Sequence, residues 1–281
     1  MTKLYFIRHA EAEGNLYRRS QGHYNSNVTQ LGRTQLSALA ERFRDQSLDA
    51  LWSSDLIRTQ STASAIRKYH PELELQTSAR LREIDVGVWE DLPWGNIAAQ
   101  WPEQMGYFTY DPARWSVPGG EPYEAVAARM RDAALELGRM YPEGDVAVVS
   151  HGLAVRSLIC WILGVPSEKI HSVPYGDNTA VSLVTVEDDA LRVEWYNDAS
   201  HLDERGLSTF SRQSWWRSDA KKIPASKVYS RFVPLDPTEE GELYSCCYGA
   251  TWEASHGNRD GFAPSLYLHS ARQHAERDPR C

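Results

Sequence analysis

The feature that most constrains the fold is a short apolar run, residues 145–149, which leads into Ser150-His151-Gly152. Aliphatic residues in an unbroken row after Asp145, bounded by polar residues, are typical of a strand buried on both faces. The apolar segment at residues 155–163 follows and predicts a helix. A buried strand that leads directly into a helix is the repeating unit of a parallel sheet, so this region favours an α/β fold.

The N-terminal part of the chain repeats this alternation of strands and helices. Residues 4–7 and 50–52 predict two further buried strands, and residues 73–77 predict a third. Apolar residues at helical spacing follow the first two, with one helix opening at Leu31-Gly32 and the next after Ser53-Ser54-Asp55. Serine and aspartate are preferred helix N-caps, so these three residues predict how the second of these helices begins.

Two adjacent segments near residue 190 complete the predicted sheet. Residues 181–186 and 191–195 flank Glu187-Asp188-Asp189-Ala190 and predict an antiparallel hairpin. The predicted fold class is therefore α/β, a three-layer αβα sandwich with a mainly parallel sheet, over residues 1–203. In open sheets of this kind, ligands bind beyond the carboxyl ends of the strands.

The last quarter of the chain differs in composition from the rest. Residues 204–227 are polar and irregular, and they predict a linker or a strap laid over the first domain. Residues 228–281 begin like a strand and continue with two helical stretches, which predicts a small C-terminal α+β appendage. A segment of about fifty residues makes a marginal core, so we expect the appendage to pack against another surface.

Charge and cysteine content exclude several classes of function. The formal net charge is −8, whereas a general nucleic-acid binder needs a basic surface. No stretch approaches the ~20 apolar residues of a membrane span, and the N-terminal apolar run is too short for a signal peptide. Cys160, Cys246, Cys247 and Cys281 fit neither metal-ligand spacing nor a disulfide framework. We expect a cytoplasmic protein without a metal or a cofactor; its oligomeric state, a homodimer included, stays open.

Reactive side chains follow several of the predicted strands. The segments are Arg8-His9-Ala10-Glu11, residues 53–59 with Arg58, residues 81–87 with Glu83, and Ser150-His151-Gly152. Each segment alone is a weak signal, because an Arg-His pair at a strand end is a common surface feature. Together they bring two arginines, two histidines and a carboxylate to one edge of the sheet. Such a set could surround a phosphate without a metal ion, since arginine binds phosphate oxygens bidentately.

These segments resemble the histidine phosphatase superfamily, which includes the cofactor-dependent phosphoglycerate mutases. The resemblance covers roughly residues 3–203. Arg8-His9-Ala10 stands where the family has Arg-His-Gly, which implies that His9 becomes phosphorylated. The resemblance also implies that Arg8, Asn15 and Arg58 bind the substrate phosphate, that His151 is the second histidine and that Glu83 is the proton donor. Further matching stretches are Thr29-Gln30-Leu31-Gly32, Val117-Pro118-Gly119-Gly120-Glu121 and Asn178-Thr179-Ala180.

The same residues form a consistent mechanism without the family. Positive charge beside His9 would lower its pKa and keep the attacking nitrogen neutral. An alkoxide is a poor leaving group, and a carboxylic acid such as Glu83 can protonate it. The same group, once ionised, can activate the water that releases phosphate from His9. We therefore predict metal-independent hydrolysis of a small-molecule phosphomonoester through a phosphohistidine intermediate.

Two other functions also fit the family. A phosphoglycerate mutase-type phosphotransferase must hold a charged bisphosphorylated intermediate, and basic residues after the acid would help it to do so. Between Asp91 and Ala128 the chain has one basic residue, Arg114, and many aromatic residues. Those aromatic residues include Trp94, Trp101, Tyr107, Phe108, Tyr110 and Trp115. This composition favours a phosphatase with an apolar leaving group, although the aromatic residues could equally form the core of a cap.

The other alternative is a catalytically silent phosphate-binding regulatory module. Such a module would be expected to have lost one of four reactive residues. All four are present: His9, Arg58, Glu83 and His151. The stretch at residues 82–90 also resembles the phosphatase branch of the family, including broad-specificity and α-ribazole phosphate phosphatases. The physiological substrate stays open among sugar phosphates, phosphoglycerate, nucleotides and ribazole phosphate.

Residues 228–281, which include Arg231-Phe232-Val233-Pro234-Leu235 and two helical stretches after it, faintly resemble the opening strand and helices of an acyl-CoA N-acetyltransferase. A Gly-rich loop for the cofactor pyrophosphate is absent from the sequence that follows. We therefore predict no acetyltransferase activity there and a structural or oligomerisation role instead. His23, in the polar loop after Asn15, could touch the substrate, but we favour the interpretation of an ordinary loop histidine.

Overall fold

A computed structural model describes residues 1–203 and 205–210, and its centre is a six-stranded sheet. The strands are β1 (Thr2–Arg8), β2 (Ala50–Ser53), β3 (Leu75–Thr77), β4 (Asp145–Ser150), β5 (Val181–Glu187) and β6 (Ala190–Asp198). They lie in the order β3-β2-β4-β1-β5-β6. The first four strands of this order are parallel, and β5 and β6 form an antiparallel hairpin along β1. The predicted α/β fold with a mainly parallel sheet is confirmed.

The helices pack on both faces of the sheet. They are α1 (Glu13–Leu16), α2 (Gln30–Phe43), α3 (Ile57–Ile66), α4 (Trp94–Gln100), α5 (Pro102–Tyr110), α6 (Tyr123–Met140), α7 (Gly152–Ile162) and α8 (Ser200–Asp203). Side chains alternate along a strand, so Leu4 and Phe6 of β1 join the core under α6 and α7. Tyr5 and Ile7 point the other way and join the core under α2 and α3. These two cores are the interior of the three-layer sandwich.

The predicted N-cap of α3 is wrong. The helix begins at Ile57 with Leu56 as its N-cap residue and without a side-chain cap. The Ser54 hydroxyl instead lies 2.7 Å from Nε2 of His151, and Asp55 forms a two-pronged ion pair with Arg82 at 2.5 and 2.6 Å. Tertiary contacts therefore outweighed the local capping preference, because these side chains found charged or ring partners on other segments.

Other predictions about this region differ only at element ends or lie outside the described residues. Strand β3 is shorter than predicted, and α7 begins at Gly152 rather than at residue 155. Residue 204 and residues 211–281 lie outside the described part, so this structure does not describe the predicted appendage or most of the predicted linker. Within the described ranges, no helix combines the length and apolar character needed to cross a membrane.

Candidate active site

A cavity opens at the carboxyl ends of the neighbouring strands β1 and β4. Its empty volume is about 990 Å³ with its open mouth included. Strand β1 ends at Arg8, and the N–H of the next residue, His9, donates to the carbonyl of Ser150 at the end of β4 (3.0 Å). The sequence-predicted residues that line the cavity are Arg8, His9, Asn15 and Glu83. The other two, Arg58 and His151, are completely buried, and the ring centroids of His151 and His9 are 5.3 Å apart.

The ring of His9 has a defined protonation state. Its Nδ1 lies 2.7 Å from the carbonyl oxygen of Ala10, which can only accept, so Nδ1 carries the proton. Nε2 of the neutral ring then holds a lone pair, which is the state that a nucleophile needs. Burial lowers the pKa of His9 well below 6.5, and the charges of Arg58 and Arg8 lower it further. The imidazole is therefore neutral at physiological pH.

Arg58 joins the second histidine to the loop that follows α1. Its Nε donates to Nδ1 of His151 (3.2 Å), and its two Nη atoms donate to the carbonyls of Tyr24 (2.7 Å) and Gly22 (2.8 Å). These bonds use three of the five N–H groups of a guanidinium. Because Nδ1 of His151 accepts, Nε2 carries the proton and donates to the Ser54 hydroxyl (2.7 Å). Burial and the charge of Arg58 lower the pKa of His151, so this ring is also neutral.

Arg8 is held beside the cavity by backbone groups. Its Nη1 donates to the carbonyl of Gly176 (2.5 Å). Burial lowers the pKa of Arg8, and the negative charge of Asp177 acts in the opposite direction. A Cβ atom at position 152 would lie 3.2 Å from Nε of Arg8, closer than side chains normally approach. Gly152 therefore allows the guanidinium to lie against the first turn of α7.

Asn15 reaches the cavity from α1. Its side-chain Oδ1 accepts from the backbone N–H of Ala12 (3.0 Å), and the backbone N–H of Asn15 donates to the carbonyl of Ala12 (2.9 Å). This reciprocal pair of bonds caps the short helix and fixes the carboxamide. Because the oxygen is engaged, the Nδ2 amino group is the part of the side chain that can donate to an anion.

Glu83 lies at the N-terminus of α7. Its Oε1 accepts from the N–H groups of Ala154 (2.9 Å) and Ile84 (3.0 Å). Its Oε2 accepts from the N–H of Leu153 (3.0 Å). Backbone donors thus hold both oxygens in place at the edge of the cavity. Among the described residues, Oε2 accepts this one bond, and a carboxyl oxygen that accepts one bond can also carry a proton.

A largely buried ion pair between Arg129 and Glu121 holds the segment that carries Glu83. The sequence did not reveal this pair. The guanidinium of Arg129, on α6, donates to both carboxylate oxygens of Glu121 at 2.7 and 2.9 Å. It also donates to the backbone carbonyls of Glu83 (2.9 Å), Arg82 (2.6 Å) and Arg80 (2.7 Å). Glu121 belongs to a stretch that matches the family, which was a usable signal. Arg129 had none, because its partners are carbonyl groups that any residue type supplies.

A second carboxylate, that of Glu90, holds the loop that Arg58 contacts. Glu90 accepts from the backbone N–H groups of Gly22 and His23, both at 2.8 Å. The side chain of His23 reaches Glu83, with Nε2 donating to the Glu83 carbonyl oxygen (3.0 Å). His23 therefore supports the backbone of the site, in keeping with its interpretation as a loop residue. Glu90 lies in the predicted stretch at residues 82–90, but its role needed the fold to become visible.

An aromatic cluster closes the cavity on the side of α4 and α5. Trp89 is fully buried at its centre, with ring centroids 5.6 Å from Phe108 and 5.5 Å from Trp115. Trp94 and Phe108 also line the cavity, together with Met105. Trp115 therefore belongs to the core of the cap, while Trp94 and Phe108 line the cavity as well; the preference for an apolar leaving group stays a prediction.

Comparison with known proteins shows the family of the chain. Branch 1 of the histidine phosphatase superfamily matches residues 4–199, and the chain belongs to this superfamily. Phosphoserine phosphatase 1 of Hydrogenobacter thermophilus is 31% identical over 205 residues, which cover 73% of this chain and 96% of that protein. The probable phosphoglycerate mutase GpmB of Yersinia pestis is 34% identical over 221 residues, which cover 75% of this chain and all (100%) of that protein.

The fold has a matching solved structure. The structure of Bacillus stearothermophilus YhfR has a TM-score of 0.69 and 28% identity to this chain, covering 72% of this chain and 100% of YhfR. Among residues 1–203 and 205–210, no group of three or more His, Cys, Asp or Glu side chains is arranged to hold a metal ion.

Proposed function

We propose that the chain hydrolyses small phosphomonoesters through a phosphohistidine on His9, with its own cations in place of a metal ion. The observation that carries this proposal is the state of His9, which is a buried, neutral imidazole whose Nδ1 is tied to Ala10. An imidazole in this state has a nucleophilic Nε2 at neutral pH. The match to a phosphoserine phosphatase supports a phosphomonoester as the substrate class.

In the first step, the lone pair on Nε2 of His9 attacks phosphorus while the bond from phosphorus to the leaving oxygen breaks. Glu83, in its protonated form, gives its proton to that oxygen, so that the product leaves as a neutral alcohol. The phosphoryl group is then bonded to Nε2, and Glu83 is ionised. Its place at the cavity edge, held by Leu153 and Ala154, supports this role.

In the second step, the ionised Glu83 takes a proton from a water molecule. The water oxygen attacks phosphorus on the phosphohistidine, and the bond between phosphorus and Nε2 breaks. Inorganic phosphate leaves, His9 returns to its neutral state and Glu83 is protonated again. The two steps together consume one ester and one water and release one alcohol and one phosphate.

Positive charge around His9 stabilises the transferring phosphoryl group. Arg8 and the amino group of Asn15 lie in the cavity wall and are proposed to bind the phosphate oxygens. Arg58 contributes its charge from beside His151. Guanidinium groups can supply the electrostatic stabilisation that many phosphoryl-transfer enzymes draw from a metal.

The cap favours hydrolysis over mutase chemistry. Arg114 is the basic residue of that stretch, and its guanidinium lies 4.2 Å from the ring centroid of Tyr107 on the exposed side. The cap surface that faces the cavity is instead apolar, from Trp94, Met105 and Phe108. A bisphosphorylated intermediate would meet no cation on this wall. We therefore propose an ester with an apolar or aromatic leaving group as the preferred substrate.

Phosphoglycerate mutase activity is the second candidate, because of the similarity to a probable phosphoglycerate mutase. Arg18 and Arg19 lie at the cavity and would be the cations for a second anionic group, although Arg19 already forms an ion pair with Asp91 (2.5 Å).

A cytoplasmic location stays a prediction. So does the division into a domain at residues 1–203, a linker or strap at 204–227 and an appendage at 228–281.

The test is hydrolysis of p-nitrophenyl phosphate in excess chelator by the full chain and by His9→Ala. We expect turnover to survive the chelator and to disappear in the variant. A fully active variant would rule out His9 as the nucleophile. Loss of activity on chelation would rule out the metal-free route. An active chain that instead interconverts phosphoglycerates faster than it hydrolyses esters would favour the mutase.

A further inference from the structure

The loop at residues 177–179, before β5, is hydrogen-bonded to the backbone of Arg8 and of His9, the proposed nucleophile. Nδ2 of Asn178 donates to the carbonyl of His9 (3.0 Å), and the N–H of Thr179 donates to the carbonyl of Arg8 (3.0 Å). Thr179 has a φ angle of 58°, a left-handed conformation that is rare for a β-branched residue. Such a backbone persists only where its surroundings impose it. The placement of His9 therefore depends on what holds this loop.

His201 holds the loop at Thr179. Arg42 can only donate, so its contact with Nδ1 of His201 (3.2 Å) identifies Nδ1 as an acceptor. The proton is then on Nε2, which donates to the hydroxyl of Thr179 (2.9 Å). This bond reaches the one residue of the loop with a left-handed backbone.

Ser208 and Thr209 hold the same loop at its two preceding residues. The buried hydroxyl of Thr209 lies 2.7 Å from Oδ1 of Asn178 and 2.8 Å from Oδ1 of Asp177. The N–H of Thr209 donates to the same carboxylate oxygen (3.2 Å), and the Ser208 hydroxyl donates to the other. Three successive loop residues are thus each bound by a side chain from residues 201–209.

The segment is also anchored to the helical layer. Nε2 of Gln35, on α2, donates to the carbonyl of Leu207 (3.0 Å), and Oε1 of the same side chain accepts from the N–H of Glu11 (2.9 Å). Glu11 follows His9 by two residues. Thr209 and Leu207 are therefore linked to the backbone on the two sides of His9 through one intervening side chain each, Asn178 and Gln35, although the family match ends at residue 199.

We infer that His201 and the described residues 207–209 are part of the catalytic support, and that Thr209 is a positioning residue that fixes His9 through Asn178. The inference rests on the proposed function, since it assigns the segment to the placement of the proposed nucleophile. Thr209, next to the last described residue, is thus linked to His9 by two successive hydrogen bonds through Asn178. Displacement of the segment would then reach the nucleophile through the loop at residues 177–179.

The test compares Thr209→Val, which has the same shape without the hydroxyl, with Thr209→Ser, which keeps it. The matched control is Thr2→Val, because the buried hydroxyl of Thr2 also contacts two acceptors, the carbonyls of Gly138 and Tyr141. Thr2 lies at the opposite end of β1 from His9. All variants are full-length, and thermal unfolding of each defines an assay temperature at which it is folded.

With p-nitrophenyl phosphate, we expect Thr209→Val to lower kcat at least about tenfold with little change in KM, since small misplacement of a reacting group is costly. Thr209→Ser and Thr2→Val should stay within about threefold of the unchanged chain. Equal kcat for Thr209→Val and the unchanged chain would overturn the inference. So would equal losses in Thr209→Val and Thr209→Ser.

A spectroscopic measurement separates this inference from the proposed function. In protein labelled with ¹⁵N-histidine, the Nδ1–H signal of His9 is assigned by its loss in His9→Ala. We expect Thr209→Val to shift or broaden that signal, and Thr209→Ser and Thr2→Val to leave it in place. This result stands even if the unchanged chain hydrolyses no ester, which would contradict the proposed function alone. An unshifted signal in Thr209→Val would overturn the positioning role, whatever the activity.

Discussion

Arg129 forms a two-pronged ion pair with Glu121, at 2.7 and 2.9 Å, while its remaining donors hold the backbone that carries the proposed general acid. The fork of a guanidinium allows this double use, because two of its edges point in different directions. A lysine could keep the charge but could not bind the carboxylate and the carbonyls together. The pair therefore ties the position of Glu83 to the packing of α6 against the rest of the domain.

We expect Arg129→Met to lower both stability and activity. Loss of several charge-assisted hydrogen bonds should reduce the free energy of unfolding by about 2–3 kcal/mol, and kcat should fall about 10- to 100-fold as Glu83 loses its placement. Arg129→Lys should recover little of either. The control is Arg139→Met, since the pair of Arg139 with Asp189 is exposed and should contribute little to stability. Urea unfolding and steady-state kinetics measure both effects.

Glu83→Gln should separate the two chemical steps. p-Nitrophenolate leaves readily without a proton, so this variant should still phosphorylate His9 from p-nitrophenyl phosphate. Release of phosphate should slow by about 10²- to 10⁴-fold, because no carboxylate activates water. The expected observations are a burst of p-nitrophenolate equal to the enzyme concentration and a phosphorylated protein by intact mass spectrometry.

The same variant should show no burst with an alkyl phosphate, whose leaving group needs the proton. Exposed Glu124→Gln is the matched control and should behave like the unchanged chain. An undiminished rate on both esters would exclude Glu83 as the proton donor and the base. Unfolding of the variant is measured as well, since a Gln amino group would face the backbone N–H donors that now bind the carboxylate.

The reactive side chains at strand ends could be predicted from the sequence. The side chains that act by binding backbone groups could not. Arg8 and His9 were predictable because a buried apolar strand stops at them. Ser54 was taken for a helix cap, and its bond to His151 could not be foreseen, because that partner lies nearly a hundred residues away in the chain. Arg129 and Glu90 bind main-chain groups, for which the sequence carries no residue-type signal. Such contacts emerge only when the fold brings the segments together.

Phe108 should select for substrates with an aromatic leaving group. Phe108→Ala removes an apolar surface that lines the cavity and contacts Trp89 and Trp115. We expect KM for aryl phosphates to rise about tenfold, in line with the loss of one apolar contact surface, with a smaller change for short polar esters. Tyr110→Ala is the control, since Tyr110 is 59% exposed. Equal changes in KM for aryl and polar esters would contradict an apolar leaving-group site.

Arg58 should set the acid side of the pH profile. Burial is the largest cause that lowers the pKa of His9, and the charge of Arg58 is the second largest. Protonation of His9 therefore inactivates the nucleophile only at acidic pH. Arg58→Met removes that charge, and the pKa of His9 should rise. The acid limb of kcat/KM should therefore move to higher pH, in addition to an overall loss of rate. A limb that stays in place would show that Arg58 does not act on His9 electrostatically.

Acid should destabilise the fold through histidines that are neutral when buried. The pKa of His201 is lowered to about 3, first by burial and then by the charge of Arg42, while Asp198 opposes the shift. An unfolded histidine binds a proton below about pH 6.5, whereas folded His201 stays neutral, so protons favour the unfolded state. The free energy of unfolding should therefore be retained above about pH 6.5 and fall between about pH 6.5 and 3, by up to about 1.4 kcal/mol per pH unit for this residue. His201→Gln, which keeps a donor for Thr179, should make that fall less steep. Urea unfolding at several pH values measures the slopes, and identical slopes for the unchanged chain and His201→Gln would contradict a neutral, folded His201.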